Sequence, residues 1–272
     1  MILGTRRVFP GICRDFPGDA ESLSFRPFHA TRSAVPMTWS IIARDRESGA
    51  FGVAVTTRSL AVGGLVPHGA GRLGAMATQA RVNPLWGVDG LRFLAEGRSA
   101  EEVVAFVTRP DEGREKRQVH VVDARGQAFA HTGSECVDWA GHVAGDGVSV
   151  AGNMLAGPQV VEETLRAFQE NGARPFGERL IVALDAGQAA GGDKRGRQSA
   201  AIKLWGGEPY PVLDLRIDDH PEPLVELRRL YDLAQDRYVV IAASMATRMT
   251  PAGIFDTAAR DRLIEEHRAK RI

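Results

Sequence analysis

Cysteine is nearly absent: the chain has two, Cys13 and Cys136, in 272 residues. So few thiols exclude a disulfide framework, and a reducing cytoplasm is the expected compartment. Long apolar runs are missing as well. None approaches the roughly 18 residues that a membrane-spanning helix needs, so no membrane partner is expected. Residues 1–36 carry Arg6, Arg7, Arg14, Arg26 and Arg32. They contain no apolar stretch leading to a small-residue cleavage site, which excludes a secretory signal. An excess of one charge is also lacking. Lys+Arg and Asp+Glu stand at 34 each, so no basic field exists to hold nucleic acid.

Several chemical signatures fail in their details. "GAGRLGAM" resembles a dinucleotide loop but has no long helix after it and no acidic residue about 20 positions on. "GGDKRGRQS" does not follow the phosphate-loop order. The seven histidines show no metal-ligand spacing, and Cys136 has no nearby cysteine, so neither a metal nor an organic cofactor is expected. Asp218–His220 precedes a proline-initiated helix, where acidic residues complement the helix N-terminus. Ser199 stands outside any Gly-x-Ser-x-Gly elbow.

What is present is a change of texture. Residues 1–36, with four prolines and no periodicity, are expected to be a disordered leader or to lie upstream of the true start. From Thr38 onward, "TWSIIARD", a turn at "RESGA" and "FGVAVTTR" form a hairpin. "GGLVPHGAGRLGAMATQA" supplies two more strands. Helices follow: one ends at Gly97, and the next opens on the Ser99/Glu102 capping-box spacing. "QVHVVDARGQAFAHTG" is a second hairpin, and "GVSVAGN" a strand ending at Asn153. Pro158 and Pro175 each introduce a helix with apolar residues three and four apart, the second expected to stop at Gly187. "QSAAIKLW" and "VLDLRID" return to strand, and a helix starts near Pro221. "YVVIAAS" fits either strand or helix, and 257–270 fits a terminal helix. Strands and helices in alternating blocks predict an α+β fold, a four-layer αββα sandwich of two antiparallel sheets flanked by helices. The expected boundaries are a leader over 1–36, a domain over 37–231 and a partly helical extension over 232–272. An exposed sheet edge offers a site for a homo-oligomer.

Candidate site residues cluster at element junctions. Thr78 and Gln79 end a strand, and Asn83 breaks the chain before a helix. Asn153 ends another strand. Amides at such junctions can aim donors at a developing oxyanion. Asp193, Arg195, Arg197 and Ser199 make a polar loop suited to orienting a substrate, with arginines matching a carboxylate. Each of these also has an ordinary role in turns. Thr38 is different. An internal threonine is a poor nucleophile, but a free α-amine, with a reference pKa of about 7.7–8.0, can take the hydroxyl proton. If Met37 is an initiator that is removed, Thr38 gains that amine.

The segments "MTWSIIARD", "GVAVTTRSLAVG", "GAMATQARVNPLWG", "HTGSECVDWAGH", "VAGNMLAGPQVVE", "AGQAAGGDKRGRQSAA" and "DLRIDDHPEPLVELRRL", from Met37 to Tyr231, together resemble the family called domain of unknown function 1028. That family is grouped with the N-terminal-nucleophile (Ntn) hydrolases. The resemblance implies the αββα fold and cleavage of an amide bond in a small polar metabolite or peptide, with Thr38 as nucleophile. A catalytically silent Ntn-like binding or scaffold protein is the alternative.

Overall fold

A computed structural model describes residues 38–269. The expected leader over 1–36 therefore lies outside the described residues. Two antiparallel sheets and seven α-helices make an α+β fold among these residues. The larger sheet runs β10 (Pro211–Ile217), β9 (Ser199–Trp205), β2 (Phe51–Thr57), β1 (Thr38–Arg44), β8 (Val148–Asn153) and β7 (Gly141–Gly145). The smaller runs β3 (Pro67–Ala70), β4 (Gly74–Ala80), β5 (Arg117–Asp123) and β6 (Ala128–Thr132).

Alternation decides which side chain meets which neighbour. On β1, Trp39, Ile41 and Ala43 join an apolar cluster with α3 (Gln159–Glu170), α4 (Phe176–Ala189) and α5 (Pro223–Asp236). Ile42 points the other way, into a cluster shared with Val53 and Val55 of β2, Ala75 and Ala77 of β4 and Val122 of β5. A third cluster joins Met76, Val119 and Val121 of the smaller sheet to α1 (Pro84–Ala95) and α2 (Ala100–Thr108). Central strands are thus covered on both faces, and every residue of β2 and all of β1 but Arg44 are buried. Trp39, wholly buried, is the largest single contribution to the first cluster, where truncation of such a side chain to alanine costs about 3–5 kcal/mol.

The helix signals hold. Asn83 caps α1 and accepts from the Leu85 amide at 3.1 Å, with Pro84 in the first turn. Ser99 and Glu102 form the reciprocal capping box of α2. Gly97 follows α1 with a φ of 82°. Gly187 does not stop its helix. It lies inside α4, where an added Cβ would meet Thr164 Oγ1 at 2.2 Å and Trp39 Nε1 at 2.9 Å, so this glycine serves close packing rather than termination. "YVVIAAS" resolves as helix α6 (Tyr238–Ala243), followed by α7 (Thr257–Ala269). α5 begins at Pro223 and runs unbroken through Tyr231. No helix among the described residues is long and apolar enough to cross a membrane.

Candidate active site

Four hydrogen-bonding residues stand in register across one end of the larger sheet. Thr38 is opposite Thr57 on one side and Asn153 on the other, and Thr57 is in turn opposite Ser199. Directly opposed residues share a face, so this row of three hydroxyls and an amide points toward the smaller sheet. All four residues are buried. The Thr38 hydroxyl lies 3.4 Å from the Thr57 hydroxyl, a long contact for two such groups. Among the described residues no imidazole or carboxylate hydrogen-bonds Thr38 Oγ1. Its carbonyl oxygen accepts from Asn153 Nδ2 at 3.3 Å and from Gln79 Nε2 at 3.5 Å.

Below the row lies a buried polar network. Gln79 Nε2 also donates to Gln118 Oε1 at 2.7 Å and to the Ala151 carbonyl at 3.0 Å. Gln118 Nε2 faces three acceptors, Thr132 Oγ1 and the carbonyls of Gly141 and Gly152. These acceptors fix the orientation of both amides, because an amide oxygen placed there would face only oxygens. Gln118 Oε1 is then left to accept from Asn153 Nδ2 at 3.3 Å. Both N–H directions of Asn153 are therefore used, one on Thr38 and one on Gln118.

The hydroxyl of Ser40, two residues along β1 on the same face, donates to Gln79 Oε1 at 2.6 Å and lies 2.8 Å from His120 Nε2. Its single proton goes to Gln79, so the network assigns the imidazole proton to Nε2. Nδ1 then accepts from Ser149 Oγ at 3.1 Å. Burial, first, and the nearby His142 push the His120 pKa down to about 3. His120 is therefore neutral at physiological pH and is bonded at both ring nitrogens.

Two hollows flank the row. Asn153 lines a cavity of about 190 Å³ together with Ala80, Arg81, Lys116, Cys136 and Val137. The residues leaving the two strands that carry Gln79 and Asn153, Ala80 and Met154, have positive φ angles of 63° and 57°. Non-glycine residues held there store about 1–3 kcal/mol each and concentrate at functional sites. On the other flank, Arg58, Arg197, Gln198 and His220 line a cleft of about 630 Å³. Buried Asp193 ties the walls together. It accepts from the Arg58 amide at 3.0 Å and pairs with the Arg195 guanidinium at 3.3 Å, and it bridges to Leu155 just beyond Asn153.

The structure thus brings Thr38, Gln79 and Asn153 together, with Asp193, Arg195 and Arg197 in the loop leading to Ser199. Ser199 itself donates to the Ser59 carbonyl at 2.5 Å and accepts from the Val62 amide at 3.2 Å, securing the segment after β2. Arg197 pairs with Glu222. Thr78 faces the α1–α2 side of its strand, where its hydroxyl is buried without a partner. Asn83 donates to Asp111 at 2.8 Å and lines a separate crevice with Trp86 and Phe106. Sequence reasoning missed Thr57, Ser40, Gln118 and His120. The signal was present in "RQVHVVD": Gln118 and His120 alternate with Val119 and Val121, so one face of a buried strand is polar. Among the described residues no three His, Cys, Asp or Glu side chains gather as a metal site.

Comparison with known proteins gives a consistent result. The model for the Family of unknown function (DUF1028) matches residues 38–227, so the matched region opens on Thr38. The crystal structure of a Silicibacter pomeroyi protein of that family is 37% identical, with a TM-score of 0.75, over 81% of this chain and 96% of its own. No curated protein matches the chain.

Proposed function

The chain belongs to the Family of unknown function (DUF1028), and from that premise we propose that it is an Ntn-type amidohydrolase with Thr38 as nucleophile. The reading is supported by three apolar clusters, one between the larger sheet and α3–α5, one shared by the two sheets and one between the smaller sheet and α1–α2, an arrangement compatible with the αββα plan of Ntn hydrolases. One observation carries the reading. Thr38 opens the central strand of the larger sheet, its hydroxyl in the row described above, and no side-chain base reaches that hydroxyl among the described residues. A free α-amine at Thr38 would supply the base from the same residue.

In this mechanism Thr38 Oγ attacks the carbonyl carbon of an amide while its proton passes to the α-amine. The tetrahedral intermediate collapses with cleavage of the C–N bond. The α-ammonium returns the proton to the departing amine, leaving an acyl ester on Thr38. Water then attacks the ester, the amine again acting as base, and releases a carboxylic acid. Gln79 and Asn153 hold the Thr38 carbonyl and so fix the backbone from which the hydroxyl projects. Asp193, Arg195 and Arg197 form the wall against which the substrate lies. Asn83, committed to the α1 cap and Asp111, takes no part.

The substrate class is a small polar amide or short peptide, and the compartment the cytoplasm. The test is a screen of amides, lactams and short peptides with protein whose first residue is Thr38, beside its Thr38→Ala and Thr38→Ser variants. The reading requires hydrolysis lost in the alanine variant and kept in part by serine. Full activity in Thr38→Ala rejects it. A silent binding or scaffold role is favoured by one fact: in the sequence Thr38 follows Met37, and a nitrogen acylated by Met37 has no basicity.

A further inference from the structure

The small cavity beside Asn153 has a charge imbalance. Lys116 and Glu135 both line it and pair at 3.4 Å, so these two charges offset each other. Arg81 also lines the cavity, and its guanidinium has no carboxylate partner among the described residues. The remaining walls, Ala80 and Val137, are apolar. The thiol of Cys136 donates to the Arg117 carbonyl at 3.4 Å. Burial pushes its pKa up to about 11, so it brings no negative charge.

The root of Arg81 is pinned. Its amide donates to the Lys116 carbonyl at 3.1 Å, and its own carbonyl accepts from Arg117 Nη1 at 2.5 Å. The preceding Ala80 is held in the left-handed conformation. Four features thus coincide: a half-open hollow, one guanidinium with no carboxylate partner among the described residues, a fixed backbone beneath it, and an edge formed by the residue that bonds Thr38. At about 190 Å³ the hollow is below the roughly 300–1,000 Å³ of whole-ligand pockets. It is suited to one end of a molecule whose other end reaches Thr38.

We infer that this cavity takes a short carboxylate-bearing arm of the substrate, with Arg81 as the partner of the carboxylate. The inference rests on the amidohydrolase reading for the word substrate, and assigns that reading a class: small amides carrying a carboxylate on a short apolar arm. Arg81 is a specificity-determining residue in this scheme, since a planar guanidinium matches a carboxylate in two parallel hydrogen bonds.

Binding can be read without turnover, because Cys136 lines the same hollow. The full chain is treated with iodoacetamide at about pH 9, where enough of the Cys136 thiol ionises to be alkylated at a measurable rate, and modification of the Cys136 peptide is followed by mass spectrometry with butyrate, butyramide or n-butylamine present. Butyrate at roughly ten times its Kd is expected to slow alkylation about ten-fold, with no effect from the neutral or cationic analogues. Arg81→Gln is expected to lose that protection and Arg81→Lys to keep part of it, with thermal melting unchanged because the Arg81 side chain is exposed. Protection by none of the probes, equal protection by butyramide, protection by the amine, or protection persisting in Arg81→Gln overturns the inference. Butyrate protection that depends on Arg81, in a protein whose Thr38→Ala variant hydrolyses as well as the parent, would retire the nucleophile and leave the subsite standing.

Discussion

Asn153 faces Thr38 across the β1–β8 pair and donates its Nδ2 to the Thr38 carbonyl oxygen at 3.3 Å, while the same nitrogen donates to Gln118 Oε1 at 3.3 Å. One amide therefore links the start of the central strand to the polar network between the sheets.

Replacing that amide by a carboxylate separates its donor function from its shape. Asn153→Asp puts an anion opposite the Thr38 carbonyl and Gln118 Oε1, two acceptors that each lose one of two donors and keep only Gln79 Nε2. Stability is expected to fall by about 1–3 kcal/mol or more, since a buried carboxylate then faces two oxygens where a donor stood. Urea unfolding measures this, and a variant within about 0.5 kcal/mol of wild type, the range of ordinary surface changes, would mean the bonds carry no weight.

Gln118 is the most connected member, with three acceptors around its Nε2. Gln118→Leu keeps similar bulk but takes one acceptor each from Gln79 Nε2 and Asn153 Nδ2 and removes the side-chain donor to the Gly141 and Gly152 carbonyls. The expected loss exceeds that of Asn153→Asp, because partly satisfied buried networks are worse than apolar ones. Chemical denaturation of both variants gives the order, and the reverse order contradicts the hierarchy.

The apolar periodicities, the Ser99 capping box and the Thr38–Thr57 hairpin were legible because each depends on neighbours in sequence. The polar network was not. Ser40, Gln79, Gln118, His120 and Ser149 come from four strands, and only the closing of the two sheets makes them contacts. β7 escaped detection for another reason: "GHVAG" is glycine-rich and only partly buried, and it pairs because β8 offers a free edge. Of the candidate site residues, Thr38 opens β1 and Asn153 ends the antiparallel β8 directly opposite it, while Gln79, one residue from the end of β4 in the smaller sheet, reaches the Thr38 carbonyl from across the sheets. Asn83 and Thr78, as close to Gln79 in sequence, leave by a helix cap and by the opposite face.

His120 should make stability pH-dependent. In the fold its pKa is about 3, against 6.5 ordinarily, so the unfolded chain binds a proton that the folded chain refuses. Stability is complete above the unfolded pKa and falls as pH drops from 6.5 toward 3, by up to about 1.4 kcal/mol per pH unit from this group. Denaturation midpoints of wild type and His120→Gln across that window isolate the effect. The variant should show the shallower slope, and equal slopes would mean that His120 is not held neutral.

Ala80 tests whether the cavity wall is strained. Its φ of 63° suits glycine, which avoids the roughly 1–2 kcal/mol left-handed penalty at some cost in unfolded-state entropy. Ala80→Gly is expected to be neutral or to raise the melting temperature. A clear fall would show that this conformation stores no strain.

The central claim is that the Thr38 nitrogen is free in the working protein. Peptide mass mapping of the protein purified from its own host tests this most directly. The account predicts a chain whose first residue is Thr38 with an unmodified α-amine. A mature protein in which peptides still span the Met37–Thr38 bond would contradict it.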